Sequence, residues 1–161
     1  MYIRLKTGKF VPDLKPTLAS TMDSISINDD DGLVKATIID LGGQEALRDQ
    51  WESHLKNTHV IIYVVDAYDS NRYKESKTEF QQRIVPLTGN IPCIIVCNKF
   101  DLVKARKKST DSSKLLHEIE EIVKDALEVP KDSNYTILVA SQKTGYGLPK
   151  VTRLIREMFT N

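Results

Sequence analysis

Four short polar clusters carry the residue types that could do chemistry in this 161-residue chain, each at the end of an apolar run or in a loop. They are Lys15-Pro16-Thr17, Asp40-Leu41-Gly42-Gly43-Gln44, Asn98-Lys99-Phe100-Asp101 and Ser141-Gln142-Lys143. The third follows the apolar run Cys93-Ile94-Ile95-Val96-Cys97, so its side chains point past the end of a buried strand. A carboxylate at that place, Asp101, can accept two hydrogen bonds from a ligand edge with paired donors, which guanine has and adenine lacks. A polar strand end that caps the following helix would use the same residues, so the motif alone leaves both readings open.

The second cluster also follows an apolar strand, and each piece of it has a chemical use. Asp40 can hold water on a magnesium ion, Gly43 lets a backbone N–H approach a terminal phosphate, and Gln44 can orient an attacking water. The plainer alternative is a glycine turn between a strand and a helix. No G-x-x-x-x-G-K-[ST] phosphate cradle occurs anywhere in the chain.

Strands and helices in alternation are predicted to position these clusters. The stretch from Ala19 to Ile27, the turn Asp29-Asp30-Asp31-Gly32 and the run from Leu33 to Asp40 read as a β-hairpin. Val60 to Val65, Cys93 to Cys97 and Thr136 to Ala140 are short β-branched runs, as expected of parallel strands covered on both faces. Between them lie helical patterns over Glu45–Asn57, Ser70–Ile84, Asp111–Leu127 and Leu148–Phe159, the third behind a Thr110/Asp111 cap. The basic stretch Lys104 to Lys108 reads as a solvated loop, with a lipid headgroup or partner contact as the alternative. Met1 to Phe10 reads as the tail of a helix ending near Gly8. This alternation predicts a doubly wound α/β domain with a mostly parallel sheet, helices on both faces and the Ala19–Ile27 strand antiparallel at one edge. Ligands of such sheets bind beyond the carboxyl ends of the strands, where Asp40, Asn98 and Ser141 fall.

Composition narrows the partners. With 23 basic and 22 acidic residues the net charge is +1, which argues against nucleic acid or an acidic membrane bound by bulk electrostatics. Cys93 and Cys97 lie four apart on one strand face, ~13 Å from each other and too far for a disulfide. A buried reduced pair is expected, consistent with a cytoplasmic compartment, against a metal or redox site. No signal peptide or apolar span of membrane length is found, and Tyr2 stands where a myristoylated chain needs glycine. His54, His59 and His117 form no constellation, and Trp51, at helical spacing from Leu47 and Leu55, reads as core or as a partner contact.

Together the four motifs make nearly the whole chain from Leu5 onward resemble the small GTPases, closest to the Arf/Sar-like group, whose switch regions read P-T and D-x-G-G-Q. Trp51 after Gln44, and Asn57-Thr58-His59 before the run from Val60 to Asp66, resemble the same group. Glu45-Ala46-Leu47-Arg48 is also similar to the beta subunit of the signal-recognition-particle receptor, a relative that serves as an interaction subunit. The resemblance implies a molecular switch in intracellular transport or protein targeting that binds GTP/GDP with Mg2+ and meets regulatory or effector proteins through its switch regions. It implies that Thr17 and Asp40 serve the metal, with Thr17 also at the γ-phosphate near Gly43, and that Gln44 is catalytic. Asn98 and Asp101 would hold the loop and the base, Lys99 would lie along base and ribose, and Ser141, Gln142 and Lys143 would close over guanine. Gln142 departs from the small residue usual there.

The same resemblance implies that residues 1–161 form a single domain lacking the family's first strand and phosphate loop. GTP hydrolysis is then expected only if the complete protein carries that loop, and membrane association only through a missing N-terminal segment or a partner. The absent strand would lie between those ending at Asp40 and Asp66, so both are expected to lose a neighbour unless the sheet recloses or another chain fills the slot. A pseudo-GTPase interaction subunit is the alternative.

Overall fold

The computed structural model describes residues 1–161 apart from Asp13, Pro16, Ala19, Asp30, Asp31, Ser109, Thr110, Asp132, Ser133 and Asn161. The expectations placed on Pro16, Ala19, Asp30, Asp31 and Thr110 therefore lie outside the described residues. Helix α1 (Tyr2–Thr7) ends on Gly8, whose φ of 68° lets its N–H turn back to the carbonyl of Arg4. Strands β1 (Ser20–Asp29) and β2 (Gly32–Leu41) pair antiparallel, with Ile25 opposite Ala36 and Ile27 opposite Val34. Ile25 and Ile27 are buried, whereas Met22 lies an odd number of positions away and is 66% exposed on the other face.

Strands β3 (Ile61–Asp66), β4 (Cys93–Asn98) and β5 (Tyr135–Val139) form a parallel sheet in the order β3-β4-β5. All six residues of β4 are buried, and their alternation sorts them between two cores. Cys93, Ile95 and Cys97 join Phe80, Leu115, Ile119 and Val123 on one face. Ile94 and Val96 join Leu138, Val151 and Ile155 on the other, together with Ile25, Ile27 and Ala36 of the hairpin. Both cysteines are free, and burial pushes each thiol up to about 12.

The helical segments depart from the expected spans in informative ways. Glu45–Asn57 is a 3-10 turn over Glu45–Gln50 followed by α2 (Trp51–Leu55). Ser70–Ile84 begins as a 3-10 turn, continues as α3 (Tyr73–Glu79) and widens into a π-turn over Phe80–Ile84. That widening seats Phe80 and Ile84 in the core, with the Phe80 ring 5.2 Å from Tyr63 and 5.5 Å from Tyr135. The basic stretch is not a loop. It belongs to α4 (Phe100–Lys107), where Phe100 and Val103 are buried and the charges find partners: Lys107 with Glu118, Lys104 with Ser112, and Arg106 over the Tyr68 ring. The apolar spacing of Phe100 and Val103 is too short to read against the helix's four charged residues, Asp101, Lys104, Arg106 and Lys107. Helix α5 (Ser112–Leu127) starts on Asp111, whose carboxylate accepts from the Lys114 N–H, and α6 (Leu148–Thr160) closes the chain.

The α/β architecture is as expected, but the strands form two sheets rather than one. Among the described residues β2 pairs only with β1, and β3 only with β4. Between the free edges of β2 and β3 lies a cavity of about 860 Å³. It is lined by consecutive residues, Lys35 to Leu41 and His59 to Val64, and a strand that presents a face lines a cavity with alternate residues only. Consecutive lining means that the backbone edges themselves face the space.

Candidate functional site

The carboxyl ends of β4 and β5 bring together most of the residues singled out at the base-reading end. Asn98 closes β4, is 6% exposed, and its side-chain carbonyl accepts from the Gln142 N–H at 3.1 Å. Ser141 is fully buried two residues beyond β5, and its hydroxyl donates to Asp101 at 2.6 Å while accepting from the Thr144 N–H. The bond to Ser141 uses one Asp101 carboxylate oxygen, and among the described residues no hydrogen bond engages the other. The loop is shaped by backbone bonds, with the Ser141 N–H donating to the Tyr146 carbonyl and the Gly145 N–H to the Ser141 carbonyl. Gly147 is required: its φ is 75°, and a Cβ would stand 2.3 Å from the Val139 carbonyl oxygen.

Lys99 adopts φ 67°, ψ 33°, a conformation that L-residues take at a cost of roughly 1–2 kcal/mol, and it caps α4 from there. Its ammonium reaches Asp66 at the end of β3, 2.6 Å away. Lys143 is exposed on the turn. Tyr146 stacks on Phe100 with ring centroids 5.0 Å apart.

A second group sits across the cavity. The Thr17 hydroxyl donates to the Asp40 carboxylate at 2.8 Å, bringing the two expected metal residues into contact. Gly43 and Gln44 follow β2, both exposed, with the Gln44 carbonyl accepting from the Leu47 N–H. Asp40, Gly43, Asp66, Asn98 and Lys99 all line the same cavity, so both groups border one space at the carboxyl ends of the strands.

Arg48, which carries no role in the motifs of the sequence, proves to be the tie behind the glycine turn. It is 6% exposed, donates to the Gly43 carbonyl at 3.0 Å, and pairs with Glu79 at 3.1 Å and with Glu75. Burial lowers the Arg48 pKa, but the bonds to Glu75 and Glu79 outweigh it and hold the guanidinium above its ordinary value. The Arg48 bond, followed by that of Arg72, depresses the Glu75 carboxyl. The indole N–H of Trp51 meanwhile donates to the Gly42 carbonyl at 2.9 Å. Side chains of the following turn thus hold both glycine carbonyls. In the sequence Arg48 shares a helical stripe with Trp51 and Leu55, and Glu75 and Glu79 stand four apart on one helix face, but nothing in the spacing sets the two elements side by side.

Fitness for a bound group can be judged from these donors. The base end offers an open carboxylate oxygen, a buried amide and a hydroxyl-braced loop, a donor set that fits a nucleobase. The group beside β2 offers Thr17 and Asp40, two oxygen donors of the kind magnesium takes. Among the described residues no group of three or more His, Cys, Asp or Glu could hold a metal by itself, so magnesium here would need phosphate and water oxygens as well.

An α/β domain with polar loops gathered at the carboxyl ends of parallel strands places its ligand site at that end. The comparison with known families is specific: the ADP-ribosylation factor family matches residues 1–158, and the chain belongs to that family. ADP-ribosylation factor-like protein 4C of Homo sapiens is 34% identical over 120 residues, covering 72% of this chain and 62% of that protein. ADP-ribosylation factor-like protein 8c of Arabidopsis thaliana is 32% identical over 105 residues, covering 65% of this chain and 55% of that protein. The chain thus spans little more than half the length of these relatives. The likeness to the signal-recognition-particle receptor gains no support from these matches.

Proposed function

We propose that these 161 residues are the base-reading and switch portion of an Arf-like GTP-binding protein that works as a molecular switch in intracellular transport or targeting. The observation that carries this reading is the bonded set of Asn98, Asp101, Ser141 and Gln142 at the ends of β4 and β5. Asn98 braces the loop after β5, Ser141 orients the Asp101 carboxylate through one oxygen, and the other Asp101 oxygen is open to a guanine edge. Lys99 would exchange its Asp66 partner for base and ribose. Ser141, Gln142 and Lys143 would close over the purine. Thr17 and Asp40 would serve magnesium, which when bound neutralises phosphate charge. Gly43 would offer its N–H to the γ-phosphate, and Gln44 would orient water for hydrolysis in a protein that also carries a phosphate-binding loop. Regulatory and effector proteins would meet the segments around Thr17 and Gln44. Family members and membranes meet peripherally in this reading, and among the described residues no helix is long and apolar enough to cross one.

Residues 1–161 supply no phosphate loop, and the loss of three hydrogen bonds to charge at ~1.5–3 kcal/mol each removes roughly 5 kcal/mol or more. Calorimetric titration should therefore give dissociation constants in the micromolar range or weaker for guanosine, GDP and GTP alike, with little dependence on magnesium. Adenosine should bind more weakly than guanosine, and Asp101→Asn should weaken guanosine and favour xanthosine. Equal binding of adenosine and guanosine would remove the base-reading role.

A further inference from the structure

The turn after β2 leaves two backbone amides without partners, and two side chains decide where they point. Gly43 and Gln44 are exposed, and among the described residues no hydrogen bond engages the N–H of either. The carbonyl in the same peptide plane as the Gly43 N–H is that of Gly42, and it accepts from the Trp51 indole at 2.9 Å. The carbonyl in the same plane as the Gln44 N–H is that of Gly43, and it accepts from Arg48 at 3.0 Å. Neither peptide bond is cis. In a trans peptide the N–H points opposite to the C=O, so each bond to a carbonyl aims the next residue's amide away from the donor side chain.

The fold itself does not explain why residue 43 is glycine. Its φ is not positive, and a Cβ there would meet nothing within 4 Å. Bare backbone at this position serves a group from outside the chain that comes close to the Gly43 N–H. A Gly-Gly pair by itself would leave the plane between its residues free to turn over, because neither residue carries a Cβ that resists. One donor fixed on one side removes that freedom. The Trp51 ring packs against the core that holds Leu55, Ile61 and Phe80, so its N–H is delivered from a rigid base.

We propose that Trp51 is a positioning residue of the candidate site: its indole N–H selects the orientation of the Gly42–Gly43 peptide that presents the Gly43 N–H to the terminal phosphate of a bound nucleotide. The proposal rests on the reading of this site as a GTP site. It assigns Trp51 a task that neither packing nor surface contact requires. Packing needs only the ring, whereas positioning needs the hydrogen on the indole nitrogen, so the two roles separate at one atom. Arg48 does for the following peptide what Trp51 does for this one.

Trp51 is the one tryptophan of the chain, so tryptophan analogues supplied during expression replace it alone. Fluorotryptophan keeps the N–H, and benzothienylalanine has the same fused-ring shape with sulfur in place of the N–H. Without ligand, the residual dipolar coupling of the Gly43 N–H should agree between the ordinary and fluoro forms and change in the benzothienyl form, while the couplings of β4 and β5 stay constant. Saturating GTP should move the Gly43 amide resonance beyond its position in saturating guanosine in the first two forms, and that movement should shrink by about half or more in the third. An unchanged Gly43 coupling in the benzothienyl form would overturn the proposal. So would a Gly43 amide that ignores GTP in the ordinary form while Asp101 and Gln142 respond. If guanosine leaves Asp101 and Gln142 unmoved, the GTP reading itself fails, and the ligand-free coupling still decides whether Trp51 sets the peptide.

Discussion

Replacing Arg48 by methionine keeps most of the buried stem and deletes the guanidinium, which isolates the role of its three bonds. The Gly43 carbonyl loses its donor, worth about 1 kcal/mol in a partly open turn. Glu79, whose side chain is 15% exposed, loses one cation but keeps Arg83 at 2.7 Å, and Glu75, 42% exposed, keeps Arg72 at 3.1 Å. Neither carboxylate is left alone, so the roughly 3–5 kcal/mol typical of orphaning a buried charge does not apply in full. The expected loss is about 2–3 kcal/mol. It is read as a lower denaturant midpoint at unchanged slope. Trp51 is the one tryptophan of the chain and bonds to Gly42, so its emission should shift to longer wavelength in the variant before unfolding. Arg72→Met, which removes an exposed pair only, should cost no more than about 0.5 kcal/mol. A loss below about 0.5 kcal/mol for Arg48→Met, with Trp51 emission unchanged, would refute the idea that Arg48 anchors the glycine turn.

Two further outcomes follow from the packing. Gly147→Ala forces a Cβ onto the Val139 carbonyl at a positive φ and should cost about 2 kcal/mol or more by thermal or chemical unfolding, whereas Gly89→Ala, with open space around it, should be nearly neutral. The thiols of Cys93 and Cys97 are raised from 9.0 to about 12, so the folded state keeps protons that the unfolded chain gives up. Their contribution to stability is complete below pH ~9 and falls as pH rises toward 12, measurable as a declining midpoint that a Cys93→Ala/Cys97→Ala variant shows to a smaller degree.

Apolar patterns and their order are enough to place the five strands, because β3, β4 and β5 are short β-branched runs and the hairpin strands alternate about a turn. The clustering of Asn98, Asp101 and Ser141 is open to reading as well, since all three stand at or just beyond the ends of buried strands. Three things are not. The α4 helix carries its apolar contacts on Phe100 and Val103 alone, too few for a period to show against Lys104, Arg106 and Lys107. The π-turn at Phe80–Ile84 answers to the stacking of Phe80 between Tyr63 and Tyr135, a contact across three elements. The Arg48 tie depends on where α3 lies relative to the turn after β2, and spacing along a chain is silent on distances between elements. The divided sheet follows from the resemblance rather than from periodicity, because each strand pattern looks the same with or without its neighbour.

Division of the sheet also bears on how the molecule comes apart. The hairpin ladder runs between residues close in sequence and closes quickly, while the β3-β4-β5 ladder waits on two long crossovers. With no ladder between them among the described residues, the two are joined by side chains: the packing of Ile25, Ile27 and Ala36 in one core with β4 and α6, and the bond from Arg156 to the Gly32 carbonyl. Such joints give way separately from backbone ladders. Amide exchange should accordingly sort into two cooperative units, with Ile25 to Ile39 opening at lower free energy than Ile94 to Cys97, and the lower of the two opening free energies should set the protein's resistance to proteolysis.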